Sequence, residues 1–225
     1  MKNLSTTSLF YNKFLFKLRI KNSVGSIFRH ANLRWAKSKL DEMQQAAEAD
    51  MPIRSPFFHG LRETVKPVSL ETFMDACIIY KAIERNRHDC MLRCEGHTVD
   101  IYSNTIEWLV DLSKQVNATE FWQPEDDIVD ILLDNTNTVV IDKPQKYPYK
   151  VYFSNFATPG FAEYCDKNDN IKIGKIALES VRRGGYLNGF YFWVTTEKQL
   201  MLAKIALGNG ISKIIKHVTK DELHK

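Results

Sequence analysis

A nine-residue string recurs 133 residues downstream, and this recurrence constrains the fold more than any other feature of the chain. Phe14-x-Phe16-Lys17-Leu18-Arg19-Ile20-x-Asn22 and Tyr147-x-Tyr149-Lys150-Val151-Tyr152-Phe153-x-Asn155 share the order aromatic, any, aromatic, Lys, aliphatic, any, apolar, any, Asn. Such alternation puts every second side chain on one face of a β-strand. Each copy is followed by helical spacing and then by a strand-helix-strand pattern, at 98–122 and at 189–218. The expectation is an α+β chain of two related sheet-and-helix halves, an internal duplication with insertions in the first copy. The boundary is placed between 1–140 and 141–225.

Local signals fill in the halves. Leu33, Ala36, Leu40, Met43 and Ala47 recur at helical spacing and predict a first helix over about 26–49. Pro52, Pro56 and Pro67 predict an irregular connection across 50–68, and Ser69 opens an apolar-striped helix through Phe73, Ala76, Tyr80 and Ile83. Cys90–Cys94 and Thr98–Tyr102 around Glu95-Gly96-His97 read as a hairpin. The second half is expected to run strand (149–154), helix (158–168), helix (173–182), strand (189–195), helix (197–207), strand (211–218).

Charge is distributed unevenly along the chain. Of the 31 Lys and Arg, nine lie in the first forty residues, where there is no Asp or Glu, so the remainder carries fewer cations than its 27 acids. A basic, acid-poor start fits a mitochondrial presequence, which would place the protein in the mitochondrial matrix. The strand and helix patterns within it fit better with part of a fold, and a cytoplasmic location is the primary expectation. Such a segment is either a solvated face or a surface that meets phosphates. Its candidate contact residues are Lys13, Lys17, Arg19, Lys21, Arg29, Arg34 and Lys37.

Residues from about 147 to 218 resemble the RNA-recognition motif family, which implies a ferredoxin-like sheet backed by helices in this half and, through the repeated string, in the other. The resemblance rests on Val151-Tyr152-Phe153-Ser154-Asn155-Phe156, similar to that family's first-strand signature, and on Asn188-Gly189-Phe190-Tyr191-Phe192-Trp193-Val194, which partly follows its third-strand signature. Asn188, Tyr191 and Trp193 depart from it, standing where a basic, a small and an aliphatic residue are usual, and the second-strand region reads as helical. The resemblance implies that Phe190 and Phe192 stand beside Tyr152 as a platform on which unpaired bases stack, with Lys150, Arg182 and Arg183 attracting phosphate. The competing expectation is a central strand buried on both faces.

Other chemistry is weakly indicated. His88, Cys90, Cys94 and His97 are zinc-type ligands, but Cys90 and Cys94 on one strand lie about 13 Å apart, too far to share an ion. Asp126, Asp130 and Asp134 fall at helical i, i+4, i+8 spacing, a pattern able to hold magnesium but more usual on a solvated helix. No nucleophile elbow or phosphate-cradling glycine loop occurs.

A non-enzymatic protein binding RNA or single-stranded DNA is therefore expected, without cofactor or metal and without a membrane-spanning segment. The alternatives are a structural or assembly subunit of a viral or ribonucleoprotein particle, pairing with a protein partner or with itself, and a metal-dependent nuclease.

Overall fold

A computed structural model describes residues 1–59 and 62–223. The elements run β1 (Lys2–Ser5), β2 (Phe16–Lys21), a 3-10 segment (Gly25–Ala31), α1 (Leu33–Glu48), β3 (Arg54–His59), β4 (Arg62–Pro67), α2 (Leu70–Arg85), β5 (Cys90–Glu95), β6 (Thr98–Ser103), α3 (Ile106–Ser113) and β7 (Ala118–Gln123). They continue with a 3-10 turn (Asp126–Ile128), α4 (Val129–Asp134), β8 (Thr138–Ile141), β9 (Tyr149–Phe153), α5 (Pro159–Asp166), β10 (Ile171–Ile173), α6 (Lys175–Arg182), β11 (Tyr191–Val194), α7 (Glu197–Leu207), a 3-10 turn (Gly208–Gly210), β12 (Ile211–Thr219) and α8 (Lys220–Leu223). Among the described residues no helix is long and apolar enough to cross a membrane.

The two halves share one topology. The first sheet has the order β1-β7-β2-β6-β5 and the second the order β8-β12-β9-β11-β10. In each, four antiparallel strands follow the ferredoxin-like order fourth, first, third, second, and an extra leading strand pairs parallel to the fourth, β1 with β7 and β8 with β12. The central strands β2 and β9 are the repeated string, so the two expected halves share strand order and register. The first half inserts α2 and a two-stranded hairpin, β3 with β4, between its first and second core strands. The second inserts α6 between β10 and β11.

The division of the chain differs from the expected one. One compact unit comprises Met1–Thr6 with Lys13–Glu125, and the other comprises Thr7–Asn12 with Asp126–Lys225. β8 belongs to the second unit because it pairs with β12, which places the boundary upstream of residue 140. Thr7–Asn12 joins that unit through a bridge from Ser8 to Val139 and a bond from the Val140 amide to the Thr7 carbonyl at 2.8 Å.

Each half buries one face of its sheet. Leu18 and Ile20 of β2, Val99 and Ile101 of β6 and Phe121 of β7 form a core with Ala36, Leu40 and Met43 of α1 and Phe73, Ala76, Ile79 and Ile83 of α2. α1 begins later than its spacing predicts. The preceding residues form the 3-10 segment, Ala31 takes φ 51°, and the Asn32 side chain caps α1 by accepting from the Trp35 amide at 3.1 Å. Ser69 caps α2 in the same way, accepting from Thr72 at 3.2 Å. In the second half Val151 and Phe153 of β9 and Phe192 and Val194 of β11 pack with Phe161, Ala162, Val181, Leu200 and Ala203. The expected irregular connection over 50–68 contains β3 and β4, with Pro56 accommodated in a two-stranded sheet that has no central strand. A three-residue strand, β10, precedes the helix expected in the second-strand region.

Phe192 is fully buried, at 0% exposure, between Phe153 and Phe161, with ring centroids 5.1 Å from each. Phe192→Ala is expected to cost the second half about 3–5 kcal/mol. Tyr191→Ala, one residue away on the opposite face, should change it by less than about 1 kcal/mol. Chemical denaturation of both variants measures the difference.

Candidate functional site

The helix-free face of the second sheet carries an aromatic and cationic surface, built by register. Tyr191 pairs with Tyr152, Trp193 pairs with both Lys150 and Lys172, and β12 sets Lys213 opposite Tyr152 and Ile215 opposite Lys150. Paired residues share a face, so two rows cross the sheet: Lys172, Trp193, Lys150, Ile215 and then Tyr191, Tyr152, Lys213. The rows lie about 7 Å apart, two residues along a strand. Lys150 sits at the centre. Its Nζ is 3.9 Å from the Tyr191 ring centroid, 5.0 Å from Tyr152 and 5.4 Å from Trp193. The rings touch one another, Tyr152 to Tyr191 at 5.6 Å and Tyr191 to Trp193 edge-on at 6.1 Å.

Among the described residues no acid pairs with these cations: the ion pairs of the second half are Arg182 with Asp166 and Lys220 with Asp127, neither of them on this face. Lys213 Nζ donates to Asn12 Oδ1 at 3.0 Å, a neutral acceptor that leaves its charge intact. His217 packs edge-on against Trp193 at 5.0 Å. Burial first, and then the Lys150 charge, hold His217 below its ordinary pKa, so it stays neutral at pH 7. Beside Trp193 a groove of about 450 Å3 is lined by Gln145, Lys146, Tyr147 and Lys172.

The platform differs from the expected one by one residue of register. Phe190 and Phe192 point to the helices: Phe192 is core and Phe190 is half-buried against that core. Tyr191 and Trp193 take the open face with Tyr152. The sequence contains aromatics at both parities of this strand, and the helices cover the side on which Val151, Phe153, Phe192 and Val194 line up. Lys150 and Tyr152 lie where expected. Arg182 and Arg183 do not lie on the sheet: Arg182 ends α6 and pairs with Asp166 at 2.6 Å, and Arg183 is the residue capping that helix.

The equivalent face of the first half is closed by its own charges. Lys17 occupies the position of Lys150 and Arg19 that of Tyr152, while Asp100 and Glu120 stand where the second sheet has Tyr191 and Lys213. Arg19 Nε and Nη2 donate to the two oxygens of Asp100 at 2.7 and 3.0 Å, and Nη1 donates to Glu120 at 3.1 Å. Lys17 Nζ lies 3.2 Å from Asp100, and Phe14 packs over Tyr102 beside them. The hydrogen bond to Asp100 raises the Arg19 pKa further. Burial pushes the Asp100 carboxyl up, but the Arg19 hydrogen bonds and the Lys17 charge outweigh it and hold it below the ordinary carboxylate value.

The nine early cations therefore do not make one face. Lys17 and Arg19 lie on the helix-free side of the first sheet and are neutralised there. Arg34 and Lys37 lie on α1, which packs on the opposite side, with Lys37 paired to Asp41 at 2.8 Å. Lys13 is exposed with its Nζ 4.9 Å from the Phe14 ring, Lys21 is exposed at the end of β2, and Arg29 is half-buried in the 3-10 segment. Cys90 and Cys94 pack against the first core as apolar groups, and burial pushes their thiols up to about 11 and about 12. Asp126 belongs to a 3-10 turn and Asp130 and Asp134 to α4, so the expected single acidic helix face is broken.

The first-half network has a measurable pH signature. Asp100→Ala removes a carboxylate shared by the buried Lys17 and by Arg19 and is expected to cost about 3 kcal/mol, the low end for a broken buried pair because Arg19 is partly solvated. Because the Asp100 pKa is lowered by folding, its contribution is present above the unfolded value of about 3.9 and is lost as pH falls through the lower folded value. Wild-type stability of the first half should therefore drop more steeply than that of Asp100→Ala as pH falls below about 4. No family model, curated protein or solved structure matches this chain, so the reading of its faces rests on their own geometry.

Proposed function

We propose that the protein is a non-enzymatic binder of single-stranded RNA or DNA, and that the helix-free face of the second sheet is its contact surface. The observation that carries this reading is Lys150 standing among Tyr152, Tyr191 and Trp193 with no acid paired to it among the described residues. Unpaired bases offer flat π-faces to such rings, and phosphates pair with the lysines around them. The first half supplies the contrast. At the same positions it places Asp100 and Glu120, which would repel phosphate and which consume the local cations.

A second reading, a structural or assembly subunit of a viral or ribonucleoprotein particle, is favoured by α7. That helix turns Met201, Leu202 and Ile205 outward, at 56%, 42% and 79% exposure.

Binding of single-stranded oligonucleotides measured against salt separates the two. With phosphates on Lys150 and Lys213, the slope of log affinity against log salt should be about −1.4 or steeper. Tyr191→Ala and Trp193→Ala should each weaken binding by about 1–3 kcal/mol while leaving the thermal midpoint nearly unchanged. A flat salt response, or no binding at low salt, overturns the nucleic-acid reading and leaves the structural one.

A further inference from the structure

The groove beside Trp193 has a composition that stacking alone does not call for. Three pieces of backbone build it: the segment leading into β9, which brings Gln145, Lys146 and Tyr147, edge strand β10, which brings Lys172, and β11, which brings Trp193. Lys172 is the cross-strand partner of Trp193, so its ammonium rises from the same face as the indole. Tyr147 is held in place by its hydroxyl, which donates to the Asp169 carbonyl at 3.0 Å in the loop before β10. Lys146 Nζ lies 5.2 Å from the Tyr147 ring. Both lysines are exposed, and neither takes part in an ion pair among the described residues.

The lining thus holds two cations, two aromatic rings, one carboxamide and no anion, around a volume of about 450 Å3. A nucleotide presents the matching groups: a phosphate, a flat base and a hydrogen-bonding base edge. An inorganic anion would use the lysines and leave both rings and the amide idle. We infer that this groove is a subsite for one phosphate-bearing nucleotide unit, with its phosphate between Lys146 and Lys172, its base against Trp193 and Tyr147, and the Gln145 amide at the base edge. This rests on the single-strand reading of the sheet face, to which it adds a position at the Lys172 end of the Trp193 row. A carboxamide both donates and accepts, so Gln145 supplies a means of discriminating between bases that the rings lack.

Isothermal titration of the full-length protein with three probes tests this: a uridine decamer, the same decamer carrying a 5′-phosphate, and uridine monophosphate. The Lys146→Ala/Lys172→Ala double variant should bind the decamer roughly ten-fold more weakly, with a salt slope shallower by about 1.4. Lys146→Arg/Lys172→Arg should retain the affinity. Combined with Tyr191→Ala, the losses should multiply, because the two changes act on separate nucleotides. A stronger grip on the phosphorylated decamer assigns the groove to a strand end, equal affinity assigns it to an internal nucleotide, and monophosphate binding that the double variant loses assigns it to a free nucleotide as well. A double variant that binds the decamer as the wild type does overturns the subsite while the sheet-face reading stands. A wild-type protein that binds no decamer at low salt overturns both.

Discussion

A lysine in the middle of a central strand is the constraint on which both halves turn. Lys17 and Lys150 occupy the same position of the same topology, each on the face of its sheet away from the helices and each flanked by aromatic or apolar neighbours. Lys17 is buried there and needs compensation, whereas Lys150 is half-exposed. The first half provides a carboxylate, Asp100, and adds Arg19 and Glu120 to form a balanced set of two cations and two acids. The second half provides rings. Attraction to an aromatic quadrupole is worth about 0.5–2 kcal/mol and leaves the charge uncancelled.

That difference gives the two sheets different capabilities. In the first half, the face is satisfied internally: its cations have their anions, Asp100 is almost fully buried, and Phe14 covers Tyr102. In the second half the charge of Lys150 remains directed outward, reinforced by Lys172 and Lys213 and surrounded by rings that are flat and partly exposed. The same backbone thus carries an ion network in one copy and an aromatic and cationic surface in the other. Fold alone would not separate them, since the distinction lies in three pairs of side chains, Arg19 and Tyr152, Asp100 and Tyr191, Glu120 and Lys213.

Much of the fold was legible from the chain because alternation and helical spacing are local. The central strands, the 90–103 hairpin, the second helix and the order of β9, α5, α6, β11, α7 and β12 follow from patterns within about a dozen residues. The strands that sequence reading missed fall into two groups. β3 and β4 pair with each other but carry Pro56 and Pro67, and β10 is three residues long. β1 and β8 are four residues each and pair parallel to β7 and β12, more than seventy residues further along the chain. β8 also decides where the halves divide, which explains why a boundary drawn from local breaks fell too late.

The sequence by itself determined that residues 190–194 form an aromatic strand, that Lys17 and Lys150 are equivalent, and that positive charge is concentrated in the first forty residues. Only the tertiary structure decided which aromatics face outward and which cations keep their charge available. A two-residue period states which side chains share a face, but both faces of this strand carry rings, so the choice falls to the helices that cover Phe192 rather than Trp193. Likewise a count of lysines and arginines does not reveal that Arg19 reaches across two strands to Asp100 and Glu120. Those acids lie about eighty and one hundred residues away, and the sheet alone brings them together.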